Sequence, residues 1–201
     1  MKIAKCVAAA AIVIALSASV PTWAQMSGDK AMKAGGKANP AEVYDKLLSM
    51  QEKEIVSLAE AMPADKYDFA PNQGIFNPMQ KTNFTEPKAV STFGQQVAHV
   101  ASANYYFFGV SGIKPSVDPD AVEKLTKKDD IVKALKDSFA YAHQAVAGFT
   151  ADNIYALESY GKGQATRGGM ATFGLGHMMD HYGQLVVYLR INGMVPPASR
   201  K

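Results

Sequence analysis

Two histidines near the C-terminus, His177 and His181, stand four residues apart in the run GLGHMMDHYGQ. On an α-helix, positions i and i+4 lie on one face, about 6 Å apart along the axis, so two imidazoles there can converge on one ion. Neutral imidazole is a ligand for zinc, nickel, copper or iron. The alternative is that both rings are packed as ordinary core residues, because a two-histidine motif is short and recurs by chance.

A catalytic zinc site usually has three protein ligands, and only His99 and His143 remain to supply the third. His143 lies at the edge of an apolar helical stripe, which suits a boundary residue with one edge in water. His99 lies on a mixed face with a small residue, Ala103, one turn further on, which leaves room for a ligand. We therefore predict His99 as the third ligand, and a closed site with His143 as the fourth ligand is the alternative.

The residues beside these histidines limit the chemistry of the site. Met178 stands where zinc proteases with an HExxH motif carry their general base, which excludes that class. No Asp or Glu is predicted beside the metal, and Asp180 points about 60° away from the pair, as a 100° step per residue requires. The polar side chains predicted to orient the ligands or face a substrate are Gln95, Gln96, Tyr106, Gln184 and Tyr188.

Four helical segments would position these side chains. Apolar residues recur at helical spacing, and no strong alternating strand pattern is present. The predicted helices begin at Asn39-Pro40 and end before Pro63, then span about 88–110, about 128–149 and about 170–191. The segment ESYGKGQATRGG before the last helix is predicted to be a glycine-rich connection. Four helices of this length favour an all-α fold, an up-down four-helix bundle.

The N-terminus is typical of a secretory signal peptide over residues 1–24. It has two lysines, a short uncharged apolar stretch and a small residue, Ala24, at the cleavage position. The alternative is an uncleaved anchor, although the apolar stretch is short for a membrane span and Pro21 closes it. Residues 25–38 are predicted to be a flexible leader, and residues 39–201 the folded domain. We expect an exported protein, periplasmic or secreted, with no stable membrane anchor after signal removal.

The composition of the chain excludes cysteine-based chemistry in the mature protein and argues against a nucleic-acid partner. The only cysteine, Cys6, lies in the signal segment, so the mature chain has no disulfide, no cysteine-ligated zinc and no cysteine nucleophile. The net charge falls from +3 to +1 on cleavage, because the signal carries Lys2 and Lys5 and no acidic residue. Without a basic patch, a nucleic-acid partner is not expected.

Two stretches, FGQQVAHVASANYYFF and GLGHMMDHYGQLVVYLRINGMVPP, resemble the DinB-like (DinB/YfiT-like) superfamily of metal-binding four-helix bundle proteins. The resemblance implies that His99, His177 and His181 hold a divalent metal ion, zinc or nickel, with open positions for water or substrate. It also implies a small-molecule ligand or substrate, since relatives include thiol-dependent transferases and isomerases and others are described as metal-dependent hydrolases.

Two functions remain open from the sequence. The first is an exported metal-dependent hydrolase or transferase acting on a small molecule, and the second is a non-catalytic periplasmic protein that binds metal or a small ligand. Beside the face that carries the histidines, much of the circumference of the last helix is apolar, at Leu175, Met178, Met179, Tyr182, Val186 and Leu189. A helix of this kind is largely buried. Cover could come from the long loop after the first helix or from a second subunit, and we predict a homodimer.

Overall fold

The structure is a computed structural model that describes residues 35–71 and 90–200. The predicted signal peptide, residues 1–24, and most of the predicted leader lie outside the described residues. The elements are α1 (Pro40–Ala61), α2 (Phe93–Phe108), α3 (Pro119–Val122), α4 (Lys128–Ala147), β1 (Leu157–Tyr160), β2 (Gly163–Thr166) and α5 (Arg167–Ile191). Short 3-10 turns follow α1, α2 and α5 at Ala64–Lys66, Gly109–Ser111 and Pro197–Ser199.

The helix starts follow local capping chemistry. Asn39 accepts a hydrogen bond from the Ala41 amide with proline at the first helical position, which confirms the predicted start of α1. The predicted start of α2 near residue 88 is wrong, because Thr92 and Gln95 form a reciprocal capping box and the helix begins at Phe93. Thr166 caps the Gly169 amide, so α5 begins a few residues earlier than predicted.

The four long helices pack side by side, with α1 and α2 each lying against both α4 and α5. Contacts between residues give their directions: Tyr44 near the start of α1 bonds Thr172 near the start of α5, so these two helices are parallel. Likewise Asn104 of α2 bonds Ser138 of α4, and the start of α2 lies near the start of α4, so α2 and α4 are also parallel to each other. The four long helices that the sequence predicts are present in the structure.

The chain directions of α1, α2, α4 and α5 are up, down, down and up, so the strict alternation of an up-down bundle is wrong at α4. The physical reason is the connection over residues 109–127, which contains α3. It returns the chain along α2, a helix of 16 residues and therefore about 24 Å long. The same connection brings α3 against α2.

The glycine-rich connection before α5 is a β-hairpin, so the fold is mostly helical and not all-α. Leu157–Tyr160 pairs antiparallel with Gly163–Thr166, and Tyr160 faces Gly163 across the turn. Gly161 has φ +59°, and the residue after it has a negative φ, as a type II′ turn requires. The strands are only four residues long and largely exposed, so they lack the apolar alternation that predicts a strand.

The core lies between the four long helices and consists of buried aromatic and aliphatic side chains, among them Phe93, Phe108, Phe139, Ile55 and Leu185. Burying such side chains stabilises the fold by about 1.5–3 kcal/mol each relative to exposure. Across the described residues, no helix combines the length and hydropathy needed to cross a membrane.

Candidate metal centre

Three histidine rings meet where α2 lies against α5. The Nε2 atom of His177 lies 3.2 Å from Nε2 of His99 and 3.1 Å from Nε2 of His181. The structure therefore brings together the three residues that the sequence singled out. Two of them are one turn apart on α5, as their spacing predicted, and His99 reaches them from α2, which runs in the opposite direction.

Hydrogen bonds on the far edges of two rings fix where the protons are. The Glu123 carboxylate lies 2.6 Å from Nδ1 of His99 and can only accept, so Nδ1 carries the proton. Nδ1 of His181 donates to the side-chain oxygen of Gln96. Both rings therefore turn Nε2 towards the centre, and in a neutral ring of this tautomer Nε2 is the nitrogen that carries the lone pair.

A chain of side-chain amides sets the direction of the bond to His181. Asp180 accepts from the amide nitrogen of Gln184 at 3.0 Å, and the oxygen of Gln184 accepts from the amide nitrogen of Gln96 at 2.7 Å. Because the amide nitrogen of Gln96 donates to Gln184, the amide oxygen of Gln96 faces Nδ1 of His181. This arrangement orients a metal-binding histidine in the way that outer partners of metal sites do.

The donor geometry fits a divalent ion. Zinc–nitrogen bonds of about 2.0–2.1 Å in a tetrahedral arrangement separate two ligand nitrogens by about 3.3 Å, close to the observed 3.1 and 3.2 Å. Without a cation, Nε2 lone pairs on His99 and His181 would face His177, whose single Nε2 proton can satisfy only one of them. Nδ1 of His177 is buried and has no hydrogen-bond partner among the described residues.

The electrostatics of the cluster favour neutral rings. Burial, followed by the neighbouring His177 and His99, lowers the pKa of His181 to about 4. Burial and then His99 also lower the pKa of His177. Neutral imidazoles are the form that binds metal, so near neutral pH these two rings are ready for an ion without first losing a proton.

The close approach of the two helices depends on a glycine. A Cβ atom added at Gly174 would lie 2.9 Å from Cβ of Phe107, so α2 and α5 pack closely one turn before His177. The Phe107 ring also lies 5.0 Å from the His177 ring, measured between centroids. Gly174 therefore sets the helix separation that allows His99 to reach the pair on α5.

The other predicted side chains divide into two groups. Gln96 and Gln184 are part of the site through the amide chain described above. Gln95 is not, because it is exposed and caps α2. Tyr188 is buried in the core and donates to the Ser91 carbonyl at 2.8 Å, and it reaches the site only through Gln96, whose side chain its hydroxyl also approaches. The exposed Tyr106 lines a cavity beside them.

The expectation that no acidic side chain lies beside the metal ligands is wrong for Glu123. This residue ends the short helix α3, which was not predicted, although Asp118-Pro119 starts it by the same cap-then-proline pattern that starts α1. That dipeptide is the sequence signal that could have found the helix. The contact with His99, 24 residues away in the chain, could not be read from the sequence.

The fourth histidine lies elsewhere. Nδ1 of His143 is 2.6 Å from Asp45 and its Nε2 is 3.3 Å from Glu52, so the ring is held between two carboxylates of α1. His143 does not join the three histidines, and within the described part of the chain these three are the group whose ligand atoms could share an ion. The alternative of a closed site with His143 as fourth ligand is therefore wrong.

Comparison with known proteins finds a matching family and similar solved structures. Residues 47–185 match the model of the DinB superfamily. A DinB-like protein from Bacillus cereus ATCC 10987, known from its crystal structure, shares 13% sequence identity with this chain at a TM-score of 0.60, over 76% of this chain and 95% of that one. At this identity the likeness shows a shared fold. No curated protein matches the chain significantly.

Proposed function

Because the chain belongs to the DinB superfamily, we propose that it binds a divalent metal ion, zinc or nickel, through His99, His177 and His181 and acts on a small molecule. The observation that carries the proposal is the convergence of three Nε2 atoms at 3.1 and 3.2 Å. The bonds of His99 and His181 to acceptors support it, because they leave both Nε2 lone pairs available at the same point.

The proposed reaction class is metal-dependent hydrolysis or group transfer. Three protein ligands are the usual number in catalytic zinc sites, where a further position is left for water or substrate. A bound ion would supply Lewis acidity, polarising a carbonyl or lowering the pKa of a water towards neutrality. The chain's own contribution is to hold the rings through Glu123 and Gln96 and to receive the small molecule in the adjoining cavity.

One observation favours the second candidate, a protein that binds metal or a small ligand without turnover. Glu123 bonds the Nδ1 edge of His99, which is the edge opposite to Nε2, so its carboxylate orients the ring instead of facing the metal position. Within residues 35–71 and 90–200, no Asp or Glu joins the three histidines. A proton-transfer group for hydrolysis would then have to come from the adjoining cavity, from the substrate or from water.

Elemental analysis tests the metal site directly. Purified protein is expected to carry one equivalent of zinc or nickel, and His99→Ala and His181→Ala are each expected to lose it. His143→Ala is the matched control, since this histidine is held by α1 and should leave the metal content unchanged. Stoichiometric metal in both site variants would refute the proposal.

Turnover separates the two candidates. An enzyme should show an activity on ester, amide or thiol-transfer substrates that a chelator abolishes and the metal restores. A protein that holds metal at full occupancy and shows none of these activities is the non-catalytic binder.

We also propose that the protein is exported, because residues 1–24 have the pattern of a signal peptide. N-terminal sequencing of the full-length product after expression should then begin at Gln25, and an intact Met1 would contradict export.

A homodimer is proposed from α5, where Phe173, Met179 and Val187 are exposed at 65%, 45% and 48%. Sedimentation at micromolar concentration should give a dimer, and a monomer would contradict it.

A further inference from the structure

A cavity of about 660 Å³ lies beside the histidines, at the end of the bundle where α2 ends. His99 and His177 form part of its wall, so the proposed metal position faces it. The connection after α2 supplies another part of the wall through Ile113 and Pro115. The volume is in the range of pockets that take small organic molecules.

One part of the wall of this cavity is aromatic. Tyr106 and Phe107 come from α2, and Tyr160 comes from the end of β1. The Tyr106 ring lies 5.4 Å from both the Phe107 ring and the Tyr160 ring, measured between centroids. Rings at such separations offer faces and edges against which another planar ring can pack.

The few charged groups at the cavity have opposite signs. Lys114 and Asp120 line it together with Glu123, whose carboxylate is already bonded to His99. This mixture does not favour a strongly anionic or cationic ligand. Selection by the cavity therefore depends on shape and apolar contact.

The hairpin fixes one wall of the cavity. The Tyr160 hydroxyl donates to the backbone carbonyl of Tyr106, which holds the end of β1 against the end of α2. A Cβ atom at Gly109 would lie 3.0 Å from that hydroxyl, so the absence of a side chain there lets Tyr160 approach. Burial raises the pKa of Tyr160 to about 12, so the hydroxyl stays protonated as a donor.

From these contacts we infer that the cavity takes a small molecule with a planar apolar body, whose oxygen or sulfur donor group reaches the three histidines, and that Tyr160 is a specificity-determining residue for that body. This inference rests on the proposed metal site and adds the substrate class. The aromatic wall contributes binding to the body of the molecule, while the metal position contributes binding to its donor group.

Two hydroxamic acids test the inference, because they share a metal-binding head and differ in the body. The cobalt-loaded mature protein is titrated with acetohydroxamic acid and with benzohydroxamic acid, and visible absorbance reports binding at the metal. Burial of the phenyl ring is expected to make benzohydroxamic acid bind about tenfold to a hundredfold more tightly. The affinity ratio of the two acids for cobalt in buffer is the baseline.

Three variants test whether the phenyl ring of benzohydroxamic acid binds in this cavity. Tyr160→Ala removes one wall, and Ala103→Phe places a ring where Ala103 lines the cavity, so both are expected to bring the affinity ratio close to the baseline. Ala140→Phe is the matched control, since Ala140 is exposed on α4 and lies outside the cavity; it should keep the wild-type ratio. Circular dichroism confirms that each variant is folded.

The outcomes separate this inference from the proposed function. Failure of the wild-type protein to bind cobalt overturns the proposed metal site, and the inference with it. Cobalt binding with a baseline ratio in the wild-type protein overturns the inference alone. A preference that survives in folded Tyr160→Ala and Ala103→Phe shows that the ring binds elsewhere, and also overturns it.

Discussion

The substitution Gly174→Ala tests whether the close packing of α2 and α5 holds the metal site together. The added Cβ atom would lie 2.9 Å from Cβ of Phe107. Carbon atoms in contact prefer about 3.5–4.0 Å, so the two helices must separate locally by at least ~0.6 Å. Cβ of Phe107 is attached directly to the backbone, so rotation of the Phe107 side chain cannot relieve this contact.

That separation acts on the histidines. His177 lies three residues after Gly174 on α5, so its distance from His99, now 3.2 Å between Nε2 atoms, would increase towards ~3.8 Å. Ligand nitrogens of a tetrahedral zinc site lie about 3.3 Å apart. We therefore expect zinc affinity to fall by about tenfold to a hundredfold, as for loss of an orienting partner. Overpacking should also lower the free energy of unfolding by about 1–3 kcal/mol.

Gly176→Ala is the matched control on the same helix. A Cβ atom there meets no described atom within 4 Å, so the substitution removes backbone freedom from the unfolded chain without a clash. It is expected to raise the free energy of unfolding by about 0.5–1 kcal/mol and to leave zinc affinity unchanged. Urea unfolding followed by circular dichroism measures the first quantity, and competition with a chromophoric chelator measures the second. Equal stability and equal affinity of the two variants would refute the argument.

Three further predictions concern the groups around the site. Glu123→Gln should lower metal affinity by about tenfold to a hundredfold, because the amide is a weaker acceptor for the proton on His99; a competition titration that finds wild-type affinity would show that the contact is incidental. In metal-free protein, the pKa of His181 is lowered to about 4, whereas the unfolded chain has the ordinary value near 6.5. As pH falls, the unfolded state therefore takes up a proton on His181 before the folded state does. The contribution of the neutral His181 ring to the free energy of unfolding is complete above pH 6.5 and is lost as pH falls towards 4. His181→Gln should flatten that part of the Tm-against-pH curve, and an unchanged slope would contradict the assignment. Thr92→Ala should destabilise the fold by about 1 kcal/mol in urea unfolding, because it removes the cap of α2, and no loss would mean that the capping box contributes nothing.

Local interactions made much of the fold readable from the sequence. Asn39-Pro40 begins α1 because capping involves residues next to one another, and the i, i+4 spacing puts His177 and His181 on one face for the same reason. The resemblance to the DinB-like superfamily is confirmed by the match over residues 47–185. The hairpin was missed because its strands are short and exposed, and so carry no apolar alternation.

The sequence by itself determined the three histidine side chains and the helices that carry them. Only the tertiary structure decided how they are held: which carboxylate reaches His99, which amide reaches His181, and that Gly174 lets the helices approach. It also decided that Tyr160, 54 residues after Tyr106, forms one wall of the cavity. The physical reason is range, since helix periodicity and capping act over a few residues, whereas these contacts depend on the directions and separation of helices that packing of the whole core sets.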